Sequence, residues 1–170
     1  MDGAALERAL TRMAHEIVEH NPEPDSLVFI GIRTHGAPLA QRLATKVGAI
    51  LKCEFPVGEL DISMHRDDLA LRNAPPQVGP SNITFDLTNR AVVLVDDVLF
   101  TGRTIRAAMD EISDFGRPQR IQLASLIDRG HRELPIRPDY VGKNVPTAAG
   151  ERVRVRLTEI DGEDEVVIER

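Results

Sequence analysis

Hydrophobic and polar positions along the chain predict an alternation of helices and buried strands. Apolar residues recur at helical spacing over 4–20, where they form one stripe of an amphipathic helix. Uninterrupted apolar runs at 27–30 and 91–95 are typical of strands that are buried on both faces of a parallel sheet. The run at 121–127 predicts another strand of this kind. The pattern therefore indicates an α/β protein with a mostly parallel central sheet.

The remaining pattern completes a single domain that ends in a hairpin. A second helix is expected from about residue 38, where a proline suits the first turn, to residue 47. Residues 49–62 predict one or two further strands. Alternating positions over 153–157, an Asp-Gly turn signal and an apolar run at 166–168 predict a C-terminal β-hairpin. The arginines that alternate along its first strand are interpreted as its solvated face.

Composition and charge narrow the class of protein. The chain has 170 residues, of which 42% are hydrophobic and 28% charged, as in a water-soluble globular domain. No run approaches the ~18 apolar residues that cross a bilayer, and the first residues lack a signal-peptide pattern. The single cysteine, Cys53, cannot form an internal disulfide. We therefore expect a cytoplasmic protein with no membrane partner, and its net charge of −6 means that any RNA must bind a local basic surface.

The stretch 91–110 carries the strongest chemical signal. Its apolar run leads into Asp96 and Asp97, and then into a Thr-Gly-Arg-Thr turn at 101–104 where a helical pattern begins. Unpaired N–H groups at a helix N-terminus bind phosphate well, and Gly102 allows the backbone to approach it closely. The two carboxylates suit ribose hydroxyls or a Mg²⁺ ion held partly through water. The stretch therefore predicts a phosphosugar site.

Three alternatives were weighed against this interpretation. An ordinary strand–helix turn with an acidic loop would show the same elements without binding phosphate. A Walker A loop fits poorly because no Lys-Ser or Lys-Thr follows the glycine. A dinucleotide fingerprint also fails, since the stretch has one glycine where that motif has three.

Two further segments could surround a phosphorylated substrate. Residues 31–36, Gly-Ile-Arg-Thr-His-Gly, lie between a strand and a helix, which suits a pyrophosphate loop or an ordinary tight turn. Residues 63–80 are too long and polar for an ordinary connection. They predict either a solvated charged loop or a lid, in which Arg66 holds pyrophosphate and Asp67 and Asp68 orient Arg66 or a metal. A lid would keep water from an oxocarbenium-like transition state.

The stretch Val-Val-Leu-Val-Asp-Asp-Val-Leu-Phe-Thr-Gly-Arg-Thr at 92–104 resembles the signature by which type I phosphoribosyltransferases hold 5-phosphoribosyl-1-pyrophosphate (PRPP). Three more stretches resemble one family within that superfamily. They are 9–16 on the first helix, 60–62 together with 66–68, and the basic, turn-rich segment 128–147. By these stretches the chain resembles, nearly end to end, the PyrR family of pyrimidine operon attenuation regulators and uracil phosphoribosyltransferases.

The resemblance implies both a fold and a function. The fold is that of a type I phosphoribosyltransferase: one domain over 1–170 with a parallel central sheet flanked by helices, a lid at about 63–80 and a small hood at about 128–147. The implied enzyme uses Mg²⁺ and PRPP to convert uracil to UMP and pyrophosphate. The implied regulator binds leader mRNA of the pyrimidine operon when UMP or UTP is bound, and works as a homodimer or higher homo-oligomer.

The resemblance also assigns site residues, position by position. Catalytic roles go to Arg66, Asp67, Asp96 and Asp97, and Asp96 and Asp97 would hold the metal through water and PRPP. PRPP would contact Arg33, Thr34, His35, Gly36, Asp96, Asp97, Val98, Leu99, Phe100, Thr101, Gly102, Arg103 and Thr104. Uracil would contact Phe100, Ile136, Arg137, Tyr140 and Val141, with its polar edge read by backbone groups of 136–142. RNA would contact Thr11, Arg12, His15, Arg132, Arg137 and Lys143.

Three positions bear on specificity or depart from the family pattern. Purine salvage transferases have an aspartate just before the Thr-Gly pair, whereas this chain has Phe100, whose apolar face suits a pyrimidine. His35 stands where the pyrophosphate loop usually has arginine, and His65 stands where the lid usually has tyrosine. Because a histidine carries a positive charge only when protonated, we expect weaker PRPP binding at high pH.

Three functions are compatible with the sequence. The chain could be both an enzyme and an RNA-binding regulator, a salvage enzyme without RNA regulation, or a regulator with vestigial catalysis. The presence of both the charged lid and the basic surface residues favours the first.

Overall fold

The computed structural model describes residues 1–63 and 80–170. It contains four helices and seven strands in these ranges: α1 Gly3–His20, β1 Leu27–Ile32, α2 Gly36–Leu51, β2 Val57–Leu60, β3 Ala91–Leu99, α3 Arg103–Ile112, β4 Arg120–Asp128, β5 Tyr140–Asn144, β6 Arg152–Arg156, α4 Thr158–Asp161 and β7 Glu165–Glu169. Arg66, Asp67 and most of the expected lid lie outside the described residues.

Five strands form one parallel sheet in the order β2-β1-β3-β4-β5. Successive residues of a strand point to opposite faces, so each buried strand supplies two cores. Phe29 and Val93 face α1, α2 and the hairpin, whereas Ile30 and Leu94 face α3. This arrangement confirms the predicted α/β architecture with helices on both faces of the sheet.

The C-terminal hairpin is confirmed. The short helix α4, which precedes the predicted Asp-Gly turn, was not predicted. Strands β6 and β7 pair antiparallel, and the one-turn helix α4 lies between them. Val155 and Leu157 enter the same core as α1 and α2. The arginines of β6 pair with glutamates of the same hairpin, Arg154 with Glu169 and Arg156 with Glu165. The hairpin is therefore an integral part of the domain.

Two predictions about strands need correction. Strand β3 continues through Asp96 and Asp97 to Leu99, because β4 extends alongside it and pairs with it up to Asp128. The segment 128–147 was expected to lie over a site and outside the core, yet it contains β5, which pairs with β4. Its turn-forming residues concealed a strand of only five residues.

The turn from β1 into α2 depends on Gly31. A Cβ atom at this position would lie 2.5 Å from the Cα of Ala37 and would also meet the Gly36 carbonyl oxygen. Both groups are backbone atoms that cannot rotate away. Gly31 therefore allows α2 to begin close to the carboxyl end of β1, where a loop site is expected.

We predict that Gly31→Ala lowers the free energy of unfolding by about 2 kcal/mol, the usual cost of forcing atoms into a packed site. Chemical denaturation followed by circular dichroism measures the change. Gly150→Ala is the matched control, because a Cβ there meets no atom within 4 Å. Equal stability of the two variants would contradict the close packing of this turn.

Candidate active site

The carboxyl ends of β1, β3 and β4 meet at one edge of the sheet, because these strands are parallel neighbours. The segments that follow them are Arg33–Gly36, Phe100–Gly102 and the start of the 128–147 segment. Ligands bind at this edge in open α/β sheets. The structure therefore brings together most of the described residues that were expected to bind PRPP.

The loop after β1 contains Arg33, Thr34 and His35, and the Arg33–Thr34 peptide bond is cis. The Arg33 N–H donates to the Leu60 carbonyl at 3.0 Å, and its Nε donates to Glu59 Oε2 at 3.1 Å. The Arg33 guanidinium thus forms an ion pair with Glu59 of β2. It lines a cavity of about 540 Å³ next to the loop.

Asp96 and Asp97 lie side by side within the end of β3. Asp96 is only 6% exposed, and its Oδ1 accepts the Asp97 N–H at 3.0 Å. Asp97 Oδ1 accepts the Val98 N–H at 2.8 Å. Burial, with a smaller effect of the neighbouring Asp97 charge, raises the pKa of Asp96 well above its ordinary value. A cation at this edge would relieve the cost of ionising Asp96.

The loop after β3 forms the predicted helix N-terminus. Gly102 adopts φ +93°, a left-handed conformation that favours glycine, and α3 begins at the next residue. The first N–H groups of α3 have no partner within the helix. The Thr101 hydroxyl accepts the Arg103 N–H at 3.3 Å, which closes the turn. This loop has the geometry expected of a phosphate-binding site.

The side chain of Phe100 lies between this loop and the end of β4. Its ring is 36% exposed, and the Arg129 guanidinium carbon lies 4.0 Å from the ring centroid. The same guanidinium donates hydrogen bonds to the Thr147 hydroxyl at 3.1 Å and to the Ala148 carbonyl at 3.2 Å. The His131 ring contacts the same phenyl ring edge-on.

A cavity of about 350 Å³ opens at the ends of β4 and β5, and Arg129 and His131, which contact Phe100, are among its lining residues. Its polar lining residues are Asp128, Arg129, His131, Arg132, Asn144 and Thr147. No site role was predicted for Asp128, Arg129, His131, Asn144 or Thr147. A signal was present, because Asp128 and Arg129 follow the apolar run at 121–127 just as Asp96 and Asp97 follow the run at 91–95.

Arg132 connects the segments around this cavity. Its guanidinium donates to the carbonyls of Phe100 and Ile136 at 2.7 and 2.8 Å, and to Asp128 Oδ2 at 2.7 Å. Ile136 in turn packs against Gly102 of the phosphate loop. Arg132 was expected to bind RNA, but here it holds the hood against the loop after β3.

Tyr140 needs correction as a residue that contacts uracil. Its side chain is 1% exposed in the core, and its hydroxyl donates to Gln122 Oε1 at 3.0 Å and contacts Asn21 Nδ2 at 3.3 Å. Burial raises the pKa of Tyr140 to about 12. The tyrosine begins β5 at the level of Ala124 of β4 and Val95 of β3, and its side chain belongs to the core that contains α1 and α2.

The residues expected to bind RNA are divided between two environments. Thr11, Arg12, His15, Arg137 and Lys143 are exposed, as a binding surface requires, whereas Arg132 is partly buried in the hood. The Arg12 guanidinium donates to the carbonyls of Val141 and Gly142 on β5 and to Glu16. Arg12 thereby joins α1 to the strand that carries Lys143.

His35 contacts two carboxylates, a feature that the sequence did not reveal. Its Nε2 lies 3.0 Å from Asp161 Oδ2 in α4, and its Nδ1 lies 3.9 Å from Asp97 Oδ2. The C-terminal hairpin therefore reaches the edge of the sheet where the loops meet. No local sequence signal connects residues 126 positions apart.

Residues 1–63 and 80–170 contain no group of three or more His, Cys, Asp or Glu side chains that could hold a metal ion. They also include no helix that is long and apolar enough to cross a bilayer.

Comparisons with known proteins agree with this geometry. The family model described as Phosphoribosyl transferase domain matches residues 2–159. A protein of Chloroflexus aurantiacus named Bifunctional protein PyrR is 59% identical over 165 residues, which cover 97% of this chain and 91% of the relative. A Bacillus cereus protein of the same name is 56% identical over 170 residues, with 99% and 94% covered.

Solved structures share the fold at low sequence identity. A hypoxanthine phosphoribosyltransferase from Trypanosoma cruzi has a TM-score of 0.77 at 15% identity, with 99% of this chain and 92% of that chain covered. A hypoxanthine-guanine phosphoribosyltransferase from Bacillus anthracis has a TM-score of 0.69 at 17% identity, with 86% and 83% covered. These similarities confirm the expected type I phosphoribosyltransferase fold.

The buried Asp96 makes stability depend on pH in the absence of metal. A raised pKa means that the folded state holds a proton that the unfolded state releases near pH 4. Its stabilising effect is complete below that pH and is lost as the pH rises toward the folded-state pKa. We predict that Asp96→Asn, in EDTA at pH 8, raises Tm by at least about 2 °C, and that this gain shrinks toward pH 4.

Thermal unfolding at several pH values measures this effect. Asp25→Asn is the control, because it removes one negative charge from an exposed position. A gain for Asp96→Asn that is the same at pH 4 and pH 8 would contradict the assignment of a buried, proton-binding carboxyl to this position.

Proposed function

Since this chain belongs to the PyrR family of phosphoribosyltransferases, we propose that it transfers the phosphoribosyl group of PRPP to uracil. We further propose that it binds leader mRNA of a pyrimidine operon under the control of UMP or UTP. The observation that carries the enzymatic proposal is the position of Asp96 and Asp97, which lie between the loop before α2 and the loop before α3. Carboxylates for a ribose and a helix N-terminus for its phosphate thus occupy one edge of the sheet.

PRPP would bind with its 5-phosphate at 101–104 and its ribose hydroxyls at Asp96 and Asp97. Its pyrophosphate would lie at the loop that contains Arg33 and His35. The two adjacent carboxylates also fit Mg²⁺, whose remaining ligands would be water and PRPP oxygens. When bound, Mg²⁺ would neutralise charge on the departing pyrophosphate.

Uracil would lie against the exposed side chain of Phe100, next to the polar groups of the hood. Its N1 would attack C1 of the ribosyl group as the bond from C1 to the pyrophosphate oxygen breaks. The N1 proton would pass to the departing pyrophosphate or to water. Arg33 and His35 would stabilise the leaving charge. The lid, with Arg66 and Asp67, would exclude water during this step.

Phe100 supports a pyrimidine substrate. Its ring has one face covered by Arg129, and the carbonyl of Phe100 is held by Arg132. The side chain therefore offers apolar surface and no carboxylate to a base. The hypoxanthine phosphoribosyltransferases named above share only the fold with this chain, so their substrates do not decide this point.

RNA would bind the exposed residues on α1 and β5. Thr11 and His15 lie on α1, Lys143 lies on β5, and Arg12 ties the two elements together through the carbonyls of Val141 and Gly142. A local basic surface allows RNA binding despite the net charge of −6. We propose that the protein acts in the cytoplasm as a homodimer or higher homo-oligomer.

The enzymatic proposal predicts that the purified protein, with Mg²⁺ and PRPP, forms UMP from uracil at least about 100-fold faster than it uses hypoxanthine or guanine. A discrimination of this size is ordinary for a site whose shape and hydrogen bonds fit one base. Asp97→Asn is expected to lower kcat/KM for uracil at least about 100-fold. A filter assay with radiolabelled uracil, hypoxanthine or guanine in turn measures both effects, and an equal or greater rate with a purine would contradict the assignment.

The regulatory proposal predicts that UMP tightens binding of the leader RNA at physiological salt, at least about fivefold. Lys143→Ala is expected to weaken RNA binding several-fold while leaving UMP formation intact. Arg117→Ala is the charge-matched control, because this exposed residue precedes β4, at the opposite edge of the sheet. Absence of RNA binding in a protein that makes UMP would identify a salvage enzyme. RNA binding without UMP formation would identify a regulator with vestigial catalysis.

A further inference from the structure

The Asp161 side chain of the C-terminal hairpin contacts the proposed pyrophosphate loop. This residue is the last of α4, and its Oδ2 lies 3.0 Å from Nε2 of His35. The same oxygen accepts the Leu157 N–H at 2.8 Å. His35 is the residue immediately before α2, so a group that orients its ring acts directly beside the candidate site.

We propose that Asp161 is a positioning residue for phosphoribosyl transfer: by accepting the Nε2 hydrogen of His35 it fixes the orientation of the ring, so that Nδ1 faces the pyrophosphate site beside Asp97 and a hydrogen bound there would be donated to a pyrophosphate oxygen. The inference rests on the proposed PRPP site. It goes beyond that site because Asp161 belongs to the hairpin and would act on PRPP only through His35.

The chemistry of the contact determines the tautomer. An ionised carboxylate can only accept hydrogen bonds, so the hydrogen must be on Nε2 of His35. The Leu157 N–H, and after it His35, lower the pKa of Asp161, which keeps Asp161 ionised at neutral pH. Nδ1 then points toward Asp97, whose Oδ2 is 3.9 Å away.

The position of Asp161 is itself fixed by packing. Leu157 is fully buried in the core beside α1 and α2. Arg42 of α2 donates to Oε1 of Glu159, within α4, at 2.7 Å and to Oδ2 of Asp164, which follows α4, at 2.8 Å. These ion pairs lower the pKa of Asp164 and raise that of Arg42. The short helix is thus attached to α2, the helix that begins next to His35.

A double-mutant cycle separates positioning from simple structural support. The affinity of the protein for PRPP with Mg²⁺ is measured by calorimetry in wild type, Asp161→Ala, His35→Ala and the double variant. We expect Asp161→Ala to weaken PRPP binding about fivefold when His35 is present and less than twofold when it is absent. Asp161→Asn keeps an acceptor oxygen for both N–H groups and is expected to stay within twofold of wild type.

Glu163→Gln is the matched control. Its carboxylate lies in the same connection but pairs with Arg156. Its PRPP affinity is expected to equal that of wild type. Equal weakening by Asp161→Ala in both backgrounds, or no weakening in either, would overturn the proposal, because a merely structural aspartate does not depend on His35.

The tautomer provides a second readout that requires no ligand. Long-range ¹H–¹⁵N spectra of the histidines, with His35 assigned by the His35→Ala variant, should show the hydrogen on Nε2 in wild type and in Asp161→Asn. In Asp161→Ala the two tautomers should be mixed. A wild-type ring with a hydrogen on Nδ1 and none on Nε2 would overturn the proposal. Neither readout uses uracil, so failure of the protein to make UMP would count against the proposed function and not against this inference.

Discussion

The central position of β3 is the constraint on which the rest of the structure depends. This strand pairs in parallel with β1 on one side and β4 on the other, and continues beyond the end of the β1 pairing. The extension carries Asp96 and Asp97 to the edge where α2 and α3 begin. Two carboxylates and two helix N-termini therefore converge at one edge of the sheet. The position of the proposed phosphoribosyltransferase site follows from how far one strand extends.

Burying the Asp96 carboxyl group at the candidate site lowers stability, and apolar packing on both faces of the sheet offsets this loss. Asp96 is a carboxyl group among buried strands, and its burial opposes ionisation. The apolar residues of β3 alternate between the two faces, so the same strand that carries this group is held on both sides by packing. Departures from simple packing rules are expected where a protein binds a charged ligand. Asp96 is such a departure, because it is a buried carboxyl group at the proposed PRPP site.

Features that depend on a short stretch of sequence could be predicted from that stretch. The apolar runs identified the strands, and the acidic pair with its Thr-Gly turn identified the loop before α3. Tyr140 was misassigned because the segment around it lacks periodicity, whereas its burial arises from contacts with Asn21 and Gln122, which are distant in sequence. The contact of His35 with Asp161 was inaccessible for the same reason. Arg132 looked like a surface cation, yet its donors are used by carbonyls that only the folded hood brings together.

The central claim is that PRPP binds where the carboxyl ends of β1 and β3 meet the starts of α2 and α3. Hydrogen–deuterium exchange, with and without PRPP and Mg²⁺, tests it most directly. The account predicts that the ligand slows amide exchange at 33–37 and 100–106, and leaves exchange in β6 unchanged. Unchanged exchange at both loops under saturating ligand, or slowing confined to other segments, would contradict the claim.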